Sequence, residues 1–337
     1  MNSLSYTGLL NLGNTCFLNS CVQILNHTFE LNELSTNGDI YLHKNDDAII
    51  FKEWEKLKQL MFSNNCTISP NKFVDSVHKI SKIKNRDLFT DWSQNDVHEF
   101  ILFMIDCFHN SRTRALHMNI TGKIENEIDE IAVKCYNMFK TTYEKDYSEI
   151  INIFYGIYVS IITSIDGNTK YSIVPENYFI LDLSIPIIQN CSIYDCFDLF
   201  LKEEILSGEN SWYNEKTDSK EEVKKKILFW SLPKVLMITF KRFSQDGTTK
   251  LNDFVRFPID NLDLSRYLIG YNKNNYIYNL YAVCNHYGNS NIGHYTAFIK
   301  NIKGEWIHYN DEILEKVENP ENIITPMAYC LFYRKKK

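Results

Sequence analysis

The spacing of apolar residues changes its period part-way along this chain, and that change restricts the fold more than any single motif does. In "SQNDVHEFILFMIDCFHN", Val97, Phe100, Ile101, Met104, Ile105 and Phe108 recur at helical intervals, which predicts an amphipathic helix. "FKEWEKLKQLMF" sets Phe51, Trp54, Leu57, Leu60 and Met61 on one helical face. "SPNKFVDSVHKI" offers Ser69 as a cap and Pro70 at the first helical position, where a missing N–H costs nothing. Ser93, with Asp96 three residues on, reads as a near capping box. Past about residue 150 the runs "YFILDLSIPII", "KVLMITFKRF", "NLYAVCNHY" and "HYTAFIKN" are β-rich and bounded by Gly, Asn and Pro. Helices first and antiparallel strands second predict an α+β architecture. The most apolar stretch, Ile150 to Ile165, is shorter than the ~20 residues of a bilayer span. Its β-branched and aromatic residues read as strands. The mixed-charge run at 214–226, "NEKTDSKEEVKKK", reads as a solvated loop or helix face.

Composition narrows the function classes. With 337 residues, 44% of them hydrophobic, the chain can bury a substantial core. A net charge of -6 argues against nucleic acid as the main partner, and the basic end Arg334 to Lys337 is too short to alter that. Nine cysteines, none spaced Cys-x-x-Cys, suit free thiols in a reducing compartment. The first ten residues lack the basic and apolar regions of a secretory leader. The expectation is an intracellular protein, cytoplasmic or nuclear, with no membrane segment.

Within "NLGNTCFLNS", Cys16 directly precedes an apolar helical stripe of Phe17, Leu18, Cys21, Val22, Ile24 and Leu25. Free cysteines act as small hydrophobes more often than as nucleophiles. A thiol at a helix N-terminus, however, meets unpaired N–H groups and the positive end of the helix dipole, and both favour the thiolate. Asn14 and Thr15 can cap that turn, and Gly13 permits a sharp entry. Cys21, further into the helix, packs.

A sulfur nucleophile needs an imidazole to hold the ion pair and to protonate the leaving amine. Of nine histidines, His294 stands out at the mouth of a strand, after a Gly/Asn-rich loop, with Gly293 before it and Tyr295 as a flat wall after it. His27 and His98 lie in helical runs and read as solvating or capping residues. A third group must orient the ring. "EWIHYNDEIL" supplies Asn310 and Asp311, of which only one can face His294 if both continue a strand. The "NIKGE" turn makes the two strands antiparallel neighbours.

At this point the residues resemble a family. "GLLNLGNTCFLNSCVQILNHT" is similar to the Cys box of the ubiquitin-specific proteases, and "NHYGNSNIGHYTAFIKN…EWIHYND" to their His box. "QNDVHEF", "LDLSIP", "LPKVLMITFKRF" and "KLNDFVRFP" follow the family's intermediate landmarks in order. The resemblance runs from about Gly8 to Tyr333. It implies a single papain-like catalytic domain shaped as a hand: a helical thumb to about residue 145, and β-rich fingers and palm from about 146 to 337. It implies a thiol-dependent deubiquitinase that cleaves after the C-terminal glycine of ubiquitin. Cys16 takes the position of the nucleophile and His294 that of the general base and acid. Asn310 takes the third place, Asn11 the oxyanion-hole side chain, and Asp311 a second acidic position that assists. Asp96 matches an acidic residue that grips the arginine-bearing ubiquitin tail, with Glu99 beside it, and Gly293 and Tyr295 line the passage for its glycines.

The chain departs from the family pattern at the fingertips. Where most members bind zinc on two Cys-x-x-Cys pairs, it carries "TSIDG" (Thr163 to Gly167) and "YNEKT" (Tyr213 to Thr217). Thr163, Asp166, Asn214 and Thr217 are poor substitutes for thiolates, so no structural zinc and no cofactor are expected. Cys191 and Cys196 read as core thiols. The expected partners are ubiquitin and ubiquitinated proteins, met by a monomer. Two rivals stand beside this reading: a protease for a ubiquitin-like modifier, and an inactive ubiquitin-binding scaffold.

Overall fold

The computed structural model describes residues 7–36, 45–63, 66–244, 249–289 and 292–336. The leader expectation at residues 1–6 and the last residue of the basic end lie outside these. Seven helices open the described chain: α1 (Cys16–Asn26), α2 (Phe29–Thr36), α3 (Asp47–Ser63), α4 (Asn71–Ile83), α5 (Val97–Asn110), α6 (Glu127–Tyr143) and α7 (Glu149–Phe154). Strands β1 (Gly156–Ser164), β2 (Lys170–Tyr178) and β3 (Ile180–Leu183) follow, then α8 (Ile193–Phe200). The remainder is β4 (Glu204–Leu206), β5 (Trp212–Asn214), β6 (Ser219–Glu221), β7 (Val223–Ser231), β8 (Val235–Phe240), β9 (Leu262–Asp263), β10 (Ile277–Gly288), β11 (Gly293–Lys300), β12 (Trp306–Asn310), β13 (Ile313–Val317) and β14 (Ala328–Lys335).

An eight-stranded sheet in the order β13-β12-β11-β10-β14-β8-β3, with β9 paired to β10, forms the palm. Its pairs are antiparallel except β3 with β8. Both faces are covered, so alternate residues of one strand enter different cores: on β8, Val235 and Met237 join the helical core while Leu236 and Ile238 join the opposite one. That double burial is why β8 reads as an unbroken apolar run. The helical side is built on α1, buried along all eleven residues. Phe17 meets Phe100 of α5 edge to face, with ring centroids 5.2 Å apart, and α1 packs against β11. The helical reading of α5 holds: all six of its predicted apolar residues are at most 1% exposed.

Four local expectations change. Residues 150–154 form α7 rather than strand; Ile150, Ile153 and Phe154 enter the helical core together, and so short an apolar run carries no decisive period. The charged run at 214–226 is a hairpin and the start of a sheet strand: β5 and β6 pair, and β7 lies between β1 and β4. Its lysines survive on a strand because acidic residues oppose them, Lys225 being registered with Glu204. Leu60 is 52% exposed although its helix forms as expected. The caps also shift. Pro70, not Ser69, occupies the N-cap of α4, and Asp96 itself caps α5, its carboxylate accepting from the His98 N–H at 2.6 Å. The Asp96 side chain thus fills the cap position, while the Ser93 N–H is taken by Asp91 Oδ1 at 2.8 Å.

The fingers are the sheet β2-β1-β7-β4 plus the β5–β6 hairpin. Polar side chains close their tips. Glu221 Oε1 accepts from Asn214 Nδ2 at 2.8 Å and from Thr217 Oγ1 at 2.6 Å. Tyr171 of β2 stacks on Trp212 of β5 with centroids 5.5 Å apart. In the other turn Asp166 accepts from the backbone and side-chain amides of Asn168. Cys191 and Cys196 are buried with their sulfurs 3.9 Å apart. Among the described residues no cluster of three or more His, Cys, Asp or Glu side chains could hold a metal ion, and no helix is long and apolar enough to cross a membrane. Tips closed by these polar side chains need no metal, so chelation should leave the thermal unfolding curve unchanged and elemental analysis should find no stoichiometric zinc. About one equivalent of zinc whose removal lowers the transition would contradict the polar-tip account.

Candidate active site

The turn before α1 is shaped by Asn11. Its Oδ1 accepts from the N–H groups of Gly13 and Thr15, at 3.0 and 3.2 Å, and from the Thr15 hydroxyl at 3.3 Å. Gly13 has φ 109 and Asn14 φ 56, left-handed values that glycine and asparagine tolerate. Thr15 sits at the N-cap without a side-chain cap bond, its hydroxyl instead receiving the Leu12 N–H at 2.9 Å. The result sets Cys16 at the first position of α1, 3% exposed, with the unpaired amides of a helix start around it.

Across from it, β11 presents His294. The β11–β12 hairpin forms through the expected turn, with Ala297 registered to Tyr309. His294 Nε2 lies 2.7 Å from Asn310 Oδ1. That contact assigns the Nε2 proton to the imidazole side of the bond and leaves Nδ1 for the sulfur. A hydrogen bond with Cys16 is the leading cause that raises the His294 pKa to about 9; burial opposes it, and Asn310 and the nearby charge of Asp311 reinforce it. The ring is thus hydrogen-bonded to the Asn310 amide and electrostatically coupled to the Cys16 thiol.

Asp311 does something else. The backbone turns at that residue, with φ 52, so its carboxylate points away from the ring's hydrogen bonds and into the thumb. Oδ2 accepts from Asn11 Nδ2 at 2.9 Å and Oδ1 from Asn19 Nδ2 at 2.7 Å. Asp311 is thereby placed on the Cys16 side, one residue from the group that touches His294.

A cleft of about 200 Å³ beside the sulfur is lined by Asn14, Cys16, Gln94, Asp96, Gly293 and Tyr295, among others. Asp96 does not offer a free carboxylate: beyond its cap bond, Oδ2 accepts from the Tyr329 hydroxyl at 2.8 Å and Tyr295 at 3.4 Å. Burial, with the Asp96 charge adding to it, pushes both phenols well above their ordinary pKa, so they remain donors. Glu99 is exposed in the first turn of α5 and does not line the cleft. Gly293 is crowded by a second histidine, since a Cβ there would lie 2.0 Å from His286 Nε2. His286 is buried, its pKa lowered to about 4 chiefly by burial, and its Nδ1 has no protein partner among the described residues. His27 caps the C-terminus of α1 and is buried rather than solvating. His98 remains partly exposed on α5.

Sequence reasoning passed over Asn19, Gln94 and His286. Asn19 carried a legible signal, a polar residue inside an apolar helical stripe, three positions after Cys16. Gln94 and His286 lay in motifs already quoted, but their partners are set by tertiary contacts.

Comparison with known proteins decides the family. Residues 7–333 match the family described as ubiquitin carboxyl-terminal hydrolase. The chain belongs to that family. Ubiquitin carboxyl-terminal hydrolase 2 of Homo sapiens is 32% identical over 351 residues, covering 99% of this chain and 56% of the human protein. Usp2 of Drosophila melanogaster is 31% identical, covering 97% of this chain and 34% of its own length. The chain therefore spans between a third and just over half of these relatives. A probable ubiquitin carboxyl-terminal hydrolase of Acanthamoeba polyphaga mimivirus is 26% identical and covered over 90% of its length. Among solved structures, the SAGA Ubp8/Sgf11/Sus1/Sgf73 DUB module bound to ubiquitin aldehyde aligns with a TM-score of 0.75 at 23% identity, over 100% of this chain and 72% of the other. That likeness shows the shared fold, an α+β hand of thumb, palm and fingers.

The carboxylate of Asp311 gives a structural prediction. Asp311→Ala would strand the buried amide of Asn19, whose remaining contacts are carbonyls at 3.3 and 3.4 Å. Urea unfolding should show a loss of about 1–3 kcal/mol, the usual cost of an abandoned buried polar partner. An unchanged midpoint would mean the carboxylate is not holding the thumb.

Proposed function

We propose that this family member is an active deubiquitinase that hydrolyses the peptide or isopeptide bond after the C-terminal glycine of ubiquitin. One observation carries the reading: His294 Nε2 lies 2.7 Å from Asn310 Oδ1, and the proton affinity of the same ring is raised chiefly by Cys16. An inactive scaffold would have no need of that alignment.

In this reading the Cys16 thiolate attacks the carbonyl carbon of the terminal glycine, and a C–S bond forms as the carbonyl electrons move to oxygen. The oxyanion meets the backbone N–H of Cys16 and the N–H of Asn11 not given to Asp311, donors fixed in advance by the Asn11 turn. The His294 imidazolium gives its proton to the leaving amine as the C–N bond breaks. Water, deprotonated by His294, then attacks the thioester and releases the ubiquitin carboxylate and the thiol. Asn310 keeps the ring aligned without adding a fixed charge. Asp311 acts through Asn11 rather than on the ring. Asp96 lines the cleft with its oxygens already engaged, so it would meet the arginine-bearing tail through charge rather than as a free acceptor, and Gly293 and Tyr295 bound the passage for its two glycines. Glu99, outside the cleft, is left to contacts further along the tail. Solved structures similar to this chain are bound to monoubiquitin or ubiquitin aldehyde, which supports ubiquitin as the partner. We take the domain to work without zinc, as a monomer whose cleft is closed by one chain, away from nucleic acid and membranes. Nine free cysteines support a location in the cytoplasm or nucleus.

Fluorogenic C-terminal conjugates of ubiquitin, SUMO and NEDD8 test the reading together. Turnover should be confined largely to ubiquitin and disappear in Cys16→Ala, which should still bind ubiquitin because the protein–protein surface is intact. Preference for another modifier would change the substrate. Full activity in Cys16→Ala, or none in the wild type, would end the proposal.

A further inference from the structure

Gln94 has no part in the mechanism above, yet its side chain touches the chain on both sides of the reacting pair. Its Oε1 accepts the Gly293 N–H at 3.0 Å and its Nε2 donates to the Gly293 carbonyl at 3.1 Å. The same Nε2 lies 3.4 Å from Asn14 Oδ1, and the Asn14 amide in turn donates to the Trp92 carbonyl at 2.9 Å. Gly293 immediately precedes His294; Asn14 is two residues before Cys16. The paired bonds to Gly293 also fix which way the Gln94 amide is turned, since only one orientation satisfies both.

The clamp sits where the sheet supports β11 on one side only. β12 is registered with β11 only from Ala297 onward, so the first residues of β11 have β10 alone beside them. A glutamine amide that both donates to and accepts from one residue behaves there as a substitute neighbouring peptide. The His286 ring presses on Gly293 as well, leaving that residue held by two side chains. Gln94 is itself exposed, so its bonds contribute little to global stability. Their consequence is positional, and positional errors at a reacting centre are costly.

We propose that Gln94 is a positioning residue, a latch from the thumb that fixes the backbone at Gly293 and thereby sets the His294 ring against Cys16. The proposal rests on the deubiquitinase reading, and the two fail differently. If the wild type does not cleave a ubiquitin conjugate, the reading falls; if it does and Gln94 is dispensable, only the latch falls.

The test is steady-state kinetics of Gln94→Ala and Gln94→Glu on fluorogenic ubiquitin, with kcat and KM separated and kcat followed against pH. For Gln94→Ala, kcat should fall about tenfold or more, with KM and the thermal midpoint nearly unchanged. The basic limb of the profile, set by loss of the His294 proton, should move to lower pH as the coupling of the ring to Cys16 weakens. Gln94→Glu keeps the acceptor for the Gly293 N–H and loses the donor to the carbonyl, so it should recover part of kcat. Should Gln94→Ala fold poorly, the Glu variant decides by the same split. A kcat within about twofold of wild type would overturn the latch, and so would an effect confined to KM or a profile that falls without shifting.

Discussion

The structure turns on a joint between residues some three hundred positions apart. Asp311, held in the left-handed region, offers its two carboxylate oxygens to Asn11 and Asn19, and its backbone carbonyl receives the Leu9 N–H at 3.0 Å. Gly8 lies so close to the next residue that a Cβ would meet the Glu312 carbonyl oxygen at 2.5 Å. These contacts lock the segment leading into α1 onto the turn that ends β12. The same turn carries Asn310, and β12 carries the register of β11. Fixing one joint thus fixes the distance from the helix that bears the thiol to the strand that bears the imidazole.

The joint also divides two adjacent polar residues between two tasks. Asn310 ends the strand and faces the ring; Asp311, past the turn, faces the thumb. A similar division separates the histidines. His294 has a pKa raised to about 9 by its contact with Cys16, whereas His286, on the paired strand, is lowered to about 4 by burial and by the Lys250 and His294 charges. One imidazole therefore carries charge at neutral pH and the other stays neutral and packs Gly293. Had both been charged within one cleft, each would have weakened the proton affinity of the other.

Much of this was legible in the sequence, for reasons that differ by residue. The α5 stripe is long and regular, so its period admits one answer. Cys16 was marked by its place before an apolar helix, and Asn310 by a hairpin whose turn length is short. The start of the strand at 223–231 was hidden by its lysines: Lys224, Lys225 and Lys226 occupy its partly exposed end, and the buried Phe229 and Trp230 come only further along, too few to show a period. The Ile150–Phe154 turn of helix was too short to show a period. Asp96 looked like an open carboxylate because nothing in its own segment reveals Tyr295 and Tyr329, which reach it from β11 and β14. Gln94 was invisible for the same reason: its meaning lies entirely in a backbone 199 residues away.

The central claim is that sulfur and imidazole form one coupled pair before any substrate binds. NMR titration of the His294 ring in the free protein tests it most directly, in the wild type and in Cys16→Ala. A raised pKa means the charged ring is favoured up to the shifted value, so the wild-type ring should keep its proton at neutral pH and lose it near pH 9. Removing the sulfur removes the leading cause and leaves burial to act, so the midpoint should fall back toward or below the ordinary imidazole value of about 6.5. A wild-type ring that titrates at that ordinary value, or a midpoint that Cys16→Ala does not move, would contradict the account.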